Sequence, residues 1–514
     1  MSSDVTGLKR PAGDWRAVVL LTAALTLARL TTIFRTPLEL YPDEAQYWLW
    51  SRTLDLGYYS KPPMVAWAVW ASTAIGGDAE PWVRVAAPLF QAIATLAVFG
   101  VGRRLYGSAA GLAAAALYAL MPGVQLSALV AATDAPLMAF LGLALLAYAT
   151  VQSAQGRRRL LAAAGCGAAL GLAFLSKYAA IYAVIGAGLH LALSPDARRA
   201  WSPAAIAATL GALAAVIAPN LIWNATHGFA TVRHIGANAS WDVERPHHFA
   251  QAGEFLGSQL GVFGPIPFVV LVVGVVLAVR RKAMAPADLL LLCFILPPLA
   301  IVTGQAFVSR ANANWAAAAY VPGAVLAAAW LLRWRTKGWF TAALGTQAAL
   351  AAALLVFAAE PRAADAVGLS SGFKRAKGWA ATSERIIDQA IGAGHYEAIA
   401  VNNRMLFYAL AYYGRDYFAD PDAPKLTAWL LAATPQNQAE AEAPLTPQRG
   451  GRVLAVAYEG WKEREMKADF ARTYGDEIIS IGLDPRHKRR VRMFTGEGFR
   501  PAPRDPVTGL PTPP

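Results

Sequence analysis

The sequence predicts a mainly α-helical, polytopic membrane protein with a small α/β domain at its C-terminal end. Of the 514 residues, 56% are hydrophobic and only 15% are charged, a balance that soluble domains rarely show. Long apolar stretches recur before residue 360, each close to the ~20 residues that cross a hydrocarbon core. Beyond residue 360 the composition becomes mixed and charged, which marks a domain boundary.

We place eleven membrane spans in the first part of the chain. They fall at residues 17–34, 82–102, 109–126, 135–151, 160–175, 178–193, 203–223, 259–279, 287–308, 315–332 and 339–359. The apolar segment Met64–Ile75 is too short to cross, and we interpret it as an interfacial or re-entrant helix. Cys166 and Cys293 both lie inside apolar stretches, which predicts neither a disulfide nor a metal pair.

The basic residues fall in short clusters between the spans, which indicates membrane topology. The net charge of +13 therefore does not predict a nucleic-acid partner. With a cytoplasmic N-terminus, the inside segments contain 16 Lys and Arg in about 52 residues, against 7 in about 98 residues outside. By the positive-inside rule this fixes the orientation, and the odd number of spans then predicts an extracytoplasmic C-terminal domain. The N-terminal apolar run has no clear small-residue cleavage site before Arg35, which predicts a retained anchor.

The chain divides into a membrane domain over residues 1–360, an α/β domain over 361–500 and a disordered Pro-rich tail over 501–514. Within the second domain, short apolar runs predict strands and amphipathic runs predict helices. The expected strands are Tyr396–Val401, Val453–Tyr458, Ile478–Ile481 and Arg490–Phe494, and the expected helices are Arg404–Tyr413 and Lys462–Tyr474.

Carboxylates are concentrated in the loops that this topology places outside, among them Asp43, Glu44 and Asp134. Acids contribute little to orientation, so their placement indicates a catalytic cavity open to the outer face. An ionised Asp134 at the end of a span needs a wet cavity or a cation. Two structural explanations stay open: Asp134 as a helix N-cap before Pro136, and the Asp43-Glu44 pair as a solvated turn.

Lys61 is the outside cation best suited to an anionic headgroup. It lies between Tyr58-Tyr59 and Pro62-Pro63, and the prolines stiffen the backbone there. Lys177 is a further candidate because it occupies a very short turn between two spans. The alternative for Lys61 is ordinary contact with lipid phosphate.

A large outer loop over residues 224–258 contains histidines and acids, which raises the question of a metal site. Their spacing matches no standard site, so most of them are interpreted as solvated loop residues. The residues concerned are His227, His234, His247, His248, Asp242 and Glu244.

A set of motifs, in order along about residues 15–335, resembles the GT-C membrane glycosyltransferases related to protein O-mannosyltransferases and to the aminoarabinose transferase ArnT. The set consists of Asp43-Glu44, Tyr58-Tyr-Ser-Lys-Pro-Pro63, Thr133-Asp134, Gly171-Leu-Ala-Phe-Leu-Ser-Lys177, Pro219-Asn-Leu-Ile-Trp-Asn224, His227-Gly-Phe229, Gly264-Pro265 and Asn314-Trp315.

The resemblance implies a GT-C-like fold and an enzyme of the bacterial inner membrane. Such an enzyme moves a sugar from a polyprenyl-phosphate carrier to an envelope lipid, polysaccharide or protein on the outer face. The implied catalytic residues are Asp43, as base, with Glu44 and Asp134. Donor and phosphate binding would fall to Lys61, Tyr58, Tyr59 and Lys177, and His227 and Asn314 would be acceptor or metal contacts.

Two positions depart from the pattern of the related transferases. Gln46 stands where they have Arg, and Ser60 stands where they have an acidic residue before Lys-Pro-Pro. Some relatives use a divalent metal, and the departures leave both metal use and part of the phosphate clamp open. No other cofactor is expected.

The competing class is a polyprenyl-lipid or sugar transporter, which would also carry acids near the membrane. It should show paired half-repeats with interrupted helices near the midplane. We find no internal repeat, and the candidate site lies at the outer interface instead. The sugar and the acceptor stay open.

Overall fold

A computed structural model describes residues 13–239, 248–281, 284–334, 337–458, 460–505 and 510–511. Before residue 360 the described chain is helical, with short 3-10 segments at Tyr178–Ala180 and Ala313–Ala319. The helices are α1 (Gly13–Arg35), α2 (Pro42–Arg52), α3 (Met64–Gly76), α4 (Glu80–Arg84), α5 (Ala86–Tyr106), α6 (Ser108–Ala119), α7 (Pro122–Leu129), α8 (Asp134–Ser153), α9 (Gly156–Ser176), α10 (Ile181–Leu193), α11 (Pro195–Ala200), α12 (Pro203–Thr226), α13 (Ala230–Ala239), α14 (Phe249–Phe263), α15 (Pro265–Arg281), α16 (Pro286–Val308), α17 (Tyr320–Arg333) and α18 (Lys337–Ala359).

The membrane part is a polytopic bundle, as the sequence predicts. Within the described ranges, 8 helices are long and apolar enough to cross a membrane, or up to 10 if two bent pairs each count as one span. The predicted span 178–193 is the shorter apolar helix Tyr178–Leu193. The segment predicted to be interfacial or re-entrant is the 13-residue helix α3, too short to cross.

Two of the predicted spans, 109–126 and 259–279, are each made of two helices joined at a bend. α6 and α7 bend by 57°, and α14 and α15 bend by 118°. Each break is followed by a proline, Pro122 or Pro265, which lacks the N–H that would continue the helix. At the first break the Ala119 carbonyl accepts hydrogen bonds from Arg29 and Gln125 instead.

α17 occupies the centre of the bundle. It is flanked by α5, α6, α15 and α16, and 89% of the apolar window that contains it is buried. Small residues such as Ala324, Ala327 and Ala328 let the neighbouring helices approach it closely. Cys166 and Cys293 are free thiols buried in the same core, as expected from their apolar surroundings.

The C-terminal part is an α/β domain built on one five-stranded sheet. Its strands are β1 (Ala398–Val401), β2 (Lys425–Ala428), β3 (Arg452–Ala457), β4 (Phe470–Gly482) and β5 (Lys488–Phe499), in the order β2-β1-β3-β5-β4. β1 pairs parallel with β2 and β3, and β5 pairs antiparallel with β3 and β4. The helices are α19 (Pro361–Ala366), α20 (Trp379–Gly392), α21 (Arg404–Tyr413), α22 (Arg415–Phe418), α23 (Gln438–Glu442) and α24 (Glu463–Ala468), with 3-10 turns at Ser370–Gly372, Lys374–Ala376, Pro447–Arg449 and Gly460–Lys462.

The C-terminal part departs from the sequence prediction at several points, and α20, like β2, lies where no element was predicted. The expected helix Lys462–Tyr474 is helical only to Ala468, because Phe470 already pairs with Phe499 in the β4–β5 hairpin. β2 was not predicted at all. The tail is ordered over its first residues, since Arg504 forms an ion pair with the buried Asp469, and residues 506–509 and 512–514 lie outside the described range.

The two parts of the chain share one hydrophobic core. Trp48 and Trp50 of α2 and Val65 of α3 lie in the same buried cluster as Phe407 and Tyr412 of α21. The Trp48 and Tyr412 rings meet edge to face, with centroids 4.9 Å apart. The C-terminal domain is therefore packed onto the short helices that follow α1.

Candidate active site

A cavity of about 600 Å³ lies where the membrane bundle meets the C-terminal domain. Its polar end combines acids and cations from six separate segments of the chain. The charged and amide side chains that line it are Asp43, Glu44, Gln46, Lys61, Arg84, Asp134, Lys177, His234, Asn314, Arg404 and Asn437. The structure thus brings Asp43, Lys61, Asp134, Lys177 and Asn314, all predicted from sequence, into one cavity.

The other end of the cavity is apolar. It runs between α1, α7 and α18 and is lined by Ile33, Leu126, Leu129, Leu354 and Ala358. Leu126 is 51% exposed on the bundle surface. A polar chamber continuous with an apolar groove suits an amphipathic ligand whose headgroup is charged and whose tail is hydrocarbon.

Asp43 and Glu44 lie in the first turn of α2, not in a solvated turn. Asp43 is partly exposed, at 37%, and its Oδ1 accepts a hydrogen bond from Arg404 at 3.0 Å. Glu44 is 1% exposed and points the other way. Successive residues of a helix are about 100° apart around its axis, which separates the two carboxylates.

Glu44 has a structural environment, which corrects its assignment as a catalytic residue. Both of its oxygens accept from Arg84, each at 2.9 Å. Oε1 also accepts from the Ala131 N–H and Oε2 from the Tyr41 N–H. A carboxylate with four donors and almost no exposed surface holds α2, α4 and the start of α8 together and has no oxygen left for a substrate.

Asp134 lies at the first residue of α8 and faces the cavity. Its Oδ1 accepts from Lys177 Nζ at 2.9 Å and its Oδ2 from Asn314 Nδ2 at 3.1 Å. Neither Thr133 nor Asp134 accepts a backbone N–H as a helix cap would. Of the two environments expected for Asp134 from sequence, a wet cavity or a cation, the structure provides a polar cavity together with the cation Lys177.

Lys61 supplies an unpaired positive charge to the cavity. Among the residues that the structure describes, no acceptor is found for its ammonium group. Burial, and then repulsion from Lys177, lower the pKa of Lys61 below its ordinary value. A buried cation with neighbouring cations and no acceptor is stabilised by an incoming anion such as a phosphate.

Tyr58 and Tyr59 do not line the cavity, which corrects their assignment to the donor site. Tyr58 is 2% exposed and stacks on Trp50 with the ring centroids 4.6 Å apart. Its hydroxyl donates to the Trp50 and Thr53 carbonyls. Tyr59 donates from its hydroxyl to the Pro435 carbonyl of the C-terminal domain at 2.7 Å. Both rings fix the Lys61 loop in place without reaching the cavity.

His227 also lies outside the cavity. Its ring stacks on Trp223 with centroids 4.1 Å apart, and Nδ1 is 2.8 Å from the Trp223 carbonyl. The cavity histidine is His234, which the sequence analysis set aside as a loop residue. Burial and the nearby cations Lys61 and Arg404 lower its pKa to about 4, so its imidazole is neutral at ordinary pH. His247, Asp242 and Glu244 lie outside the described residues.

The described residues do not fit a divalent metal. They contain no cluster of three or more His, Cys, Asp or Glu side chains arranged to hold an ion. Asp43 and Asp134, the cavity acids other than Glu44, are each paired with a cation, Asp43 with Arg404 and Asp134 with Lys177. Charge neutralisation in this cavity comes from Lys and Arg, and no chemical step is assigned to a metal.

Arg404 is the site residue that the sequence analysis missed. It begins α21 immediately after β1, and a residue at the carboxyl end of a strand is a common position for a functional side chain. The expected elements Tyr396–Val401 and Arg404–Tyr413 contained this signal. These elements alone do not indicate that Arg404 reaches Asp43, which lies 361 residues earlier in the chain.

The family model described as dolichyl-phosphate-mannose-protein mannosyltransferase matches residues 60–223. A lipid A galacturonosyltransferase, RgtD, of Rhizobium johnstonii is 38% identical over 318 residues, which cover 62% of this chain and 66% of that protein. The crystal structure of ArnT from Cupriavidus metallidurans superposes with a TM-score of 0.65 at 15% identity, over 93% of this chain and 97% of that one.

The chain has the GT-C fold of the ArnT-like membrane glycosyltransferases. The same GT-C fold is seen in ArnT from Cupriavidus metallidurans bound to undecaprenyl phosphate, with a TM-score of 0.65 at 16% identity over 94% of this chain and 98% of that one. It is also seen, at a TM-score of 0.50 and 14% identity, in the oligosaccharyltransferase AglB from Archaeoglobus fulgidus in complex with a peptide and a dolichol phosphate. That match covers 87% of this chain and 70% of AglB.

Proposed function

We propose that the protein transfers a sugar from a polyprenyl-phosphate carrier to an envelope acceptor, at the outer face of a bacterial inner membrane. The observation that carries this proposal is the cavity itself, in which an exposed carboxylate, an unpaired lysine and an apolar groove are continuous. The positive-inside distribution of the sequence supports the outer location. Two structures of the same fold, ArnT and AglB, contain a polyprenyl or dolichol phosphate.

The donor phosphate is assigned to Lys61, with Lys177 beside it. A glycosyl phosphate needs positive charge where negative charge develops on the leaving oxygen, and preorganised cations in a water-poor cavity stabilise that charge strongly. Lys61 has no acceptor of its own, whereas Lys177 is shared with Asp134. The hydrocarbon tail would lie in the groove between α1, α7 and α18.

Asp43 is assigned as the general base. Its Oδ1 is held by Arg404, which leaves Oδ2 to accept the proton of the acceptor hydroxyl. The acceptor oxygen then forms a bond to the anomeric carbon as the bond from that carbon to the phosphate oxygen breaks. The electron pair of the broken bond leaves with the polyprenyl phosphate, whose negative charge is stabilised by Lys61. Asp134, fixed by Lys177 and Asn314, is assigned to orient the sugar or the acceptor.

Galacturonic acid and lipid A are the first donor sugar and acceptor to test, because the relative at 38% identity is a lipid A galacturonosyltransferase. The match covers slightly less than two thirds of that relative's length. A transport function has no comparable support, since the charged side chains of the cavity are confined to one end of the described bundle.

The test is incubation of the purified protein with a panel of polyprenyl-phosphate sugars and lipid A, followed by mass spectrometry of the acceptor. We expect a mass increase of one sugar for the wild type and a rate lower by roughly 10²–10⁴-fold for Asp43→Asn, the usual contribution of a general base. Asp196→Asn is the matched control. Asp196 is an exposed acid of α11 that pairs with Arg199 of the same helix, and this variant should keep the wild-type rate. Full transfer by Asp43→Asn would remove the mechanism, and no transfer with any donor would remove the function.

A further inference from the structure

One wall of the cavity belongs to the C-terminal domain. Arg404 enters it from the first turn of α21, and Asn403, the N-cap of that helix, accepts from the Met405 N–H at 2.8 Å. This cap fixes the direction in which α21 begins. Phe373 and Asn437 close the same side of the cavity, so the soluble domain reaches the reacting region directly.

Arg404 bridges two side chains of the membrane domain. Its Nη1 donates to Asp43 Oδ1 and to Gln46 Oε1, both at 3.0 Å. Asp43 and Gln46 are three residues apart on α2, which places them on the same face of the helix. A single guanidinium therefore restrains the Asp43 carboxylate from one side. The other N–H groups of Arg404 have no acceptor in the described structure.

The electrostatics agree with this geometry. Burial alone would lower the pKa of Arg404, but the attraction of Asp43 and its hydrogen bond offset that effect, and the pKa is raised above its ordinary value. The Arg404 and Asp43 side chains are 42% and 37% exposed. A half-exposed ion pair adds little to the stability of the fold. Because this pair lies in the cavity wall, we infer that it serves the function of the cavity.

We propose that Arg404 is a positioning residue of the transferase: it orients Asp43 and balances its charge, so that the soluble domain completes the active site. This inference rests on the proposed function. Arg404 is not required to hold the domain in place, because other contacts do so, among them the shared core around Trp48 and Tyr412 and the hydrogen bond from Tyr59 to Pro435.

The experiment compares four variants of the full-length protein in the transfer assay. Arg404→Gln should lower kcat by about 10²-fold, the usual effect of misplacing a catalytic group by an ångström, with little change in KM for the donor. Arg404→Lys keeps the charge and should recover part of kcat. The double variant Gln46→Arg, Arg404→Gln exchanges the two side chains, so that a guanidinium from α2 lies beside Asp43. This double variant should recover most of the wild-type kcat. Arg415→Gln removes a guanidinium from the cleft beside Leu49 and should leave kcat unchanged.

Thermal unfolding and size exclusion of each variant accompany the assay and exclude misfolding as the cause of a low rate. The inference is wrong if Arg404→Gln keeps the wild-type kcat. It is equally wrong if Arg404→Lys and the exchanged pair are folded yet no faster than Arg404→Gln, because Arg404 would then act through docking alone. If the wild type shows no transfer, the proposed function and this inference are both overturned. If the wild type is active but Arg404→Gln is not slower, or if neither Arg404→Lys nor the double variant recovers kcat, only the inference is overturned.

Discussion

At the scale of single residues, the cavity separates two carboxylates that are adjacent in sequence. Glu44 is enclosed by Arg84 and two backbone N–H groups, whereas Asp43 keeps one oxygen towards the cavity. The pair therefore combines a structural ion pair with a candidate base on one helical turn. Their different environments predict that replacing the acid by its amide affects stability to a very different extent at the two positions.

Glu44→Gln should lower the stability of the folded protein far more than Asp43→Asn. It leaves the Arg84 guanidinium, 3% exposed, without the carboxylate that it contacts, and breaking a buried pair in this way costs about 3–5 kcal/mol. Asp43→Asn removes a half-exposed pair worth ~1 kcal/mol or less. Thermal unfolding in detergent measures both, and equal midpoints for the two variants would contradict the assignment.

Lys61 predicts a pH dependence of donor binding. A phosphate binds the ammonium form, and burial with repulsion from Lys177 lowers the pKa of Lys61 below 10.5. Affinity for polyprenyl phosphate should therefore decrease as pH rises towards this lowered pKa, at a lower pH than for an ordinary lysine. Lys61→Arg keeps its charge at all these pH values and should bind with a nearly constant affinity.

Titration calorimetry or tryptophan fluorescence between about pH 7 and pH 10 follows this dependence. The control is Lys425→Arg at an exposed lysine of β2 in the soluble domain, which should retain the wild-type decrease. A decrease of the same size in Lys61→Arg would show that another group is responsible.

The site residues that could be predicted from sequence are charged residues whose immediate neighbours in the chain are apolar or form a tight turn. Asp134 stands out as an acid within an apolar run, and Lys61 and Lys177 stand out as cations in tight turns. Tyr58 and Glu44 sit in the same motifs but turn inward, and no local pattern reveals which way a side chain faces. Arg404 could not be assigned because its partner is 361 residues away.

At the scale of helices and strands, the apolar patterns predicted where helices lie better than where they break. Each of the two bent helix pairs, α6–α7 and α14–α15, is one apolar stretch in the sequence although it contains a proline. Proline is tolerated in many membrane helices because neighbouring groups satisfy the freed carbonyl. Here Arg29 of α1 and Gln125 of α7 do so at Ala119, and the Arg29 partner comes from outside the run.

The packing of α9 against α12 depends on a glycine. A Cβ added at Gly167 would lie 2.0 Å from the Thr209 carbonyl oxygen, whereas one added at Gly165 meets nothing within 4 Å. Gly167→Ala should therefore separate the helices and lower stability by about 1–3 kcal/mol, the usual cost of overpacking. Gly165→Ala on the same helix should be neutral or slightly stabilising.

Thermal unfolding of both variants, with the transfer rate as a second readout, distinguishes these effects. Equal unfolding midpoints for Gly167→Ala and Gly165→Ala would mean that the close approach of α9 and α12 is not required.

At the scale of the whole molecule, the boundary at residue 360 separates two compositions but not two independent bodies. Composition correctly predicted a membrane part followed by an α/β part. It could not predict the shared core of Trp48, Trp50, Phe407 and Tyr412, because long-range packing leaves no trace in either segment alone. The aromatic residues around Asp43 belong to this core.

A chain ending at residue 360 should consequently be unstable. It would expose the aromatic face of α2 and α3 that the C-terminal domain covers, and large exposed apolar patches cause aggregation. We expect a low yield and an aggregated elution profile in size exclusion, with improvement when residues 361–514 are co-expressed as a separate chain. A monodisperse 1–360 fragment would contradict the shared core.

The contact between Asp43 and Arg404 joins positions 361 residues apart, and a ribosome makes them in that order. The acid is inserted beside the membrane early in synthesis, and its guanidinium emerges only after every span has been made. An unfinished chain therefore presents Asp43 without the guanidinium that it contacts in the complete fold. On the proposed mechanism, the lipid carrier meets an oriented base only after the last domain has been made.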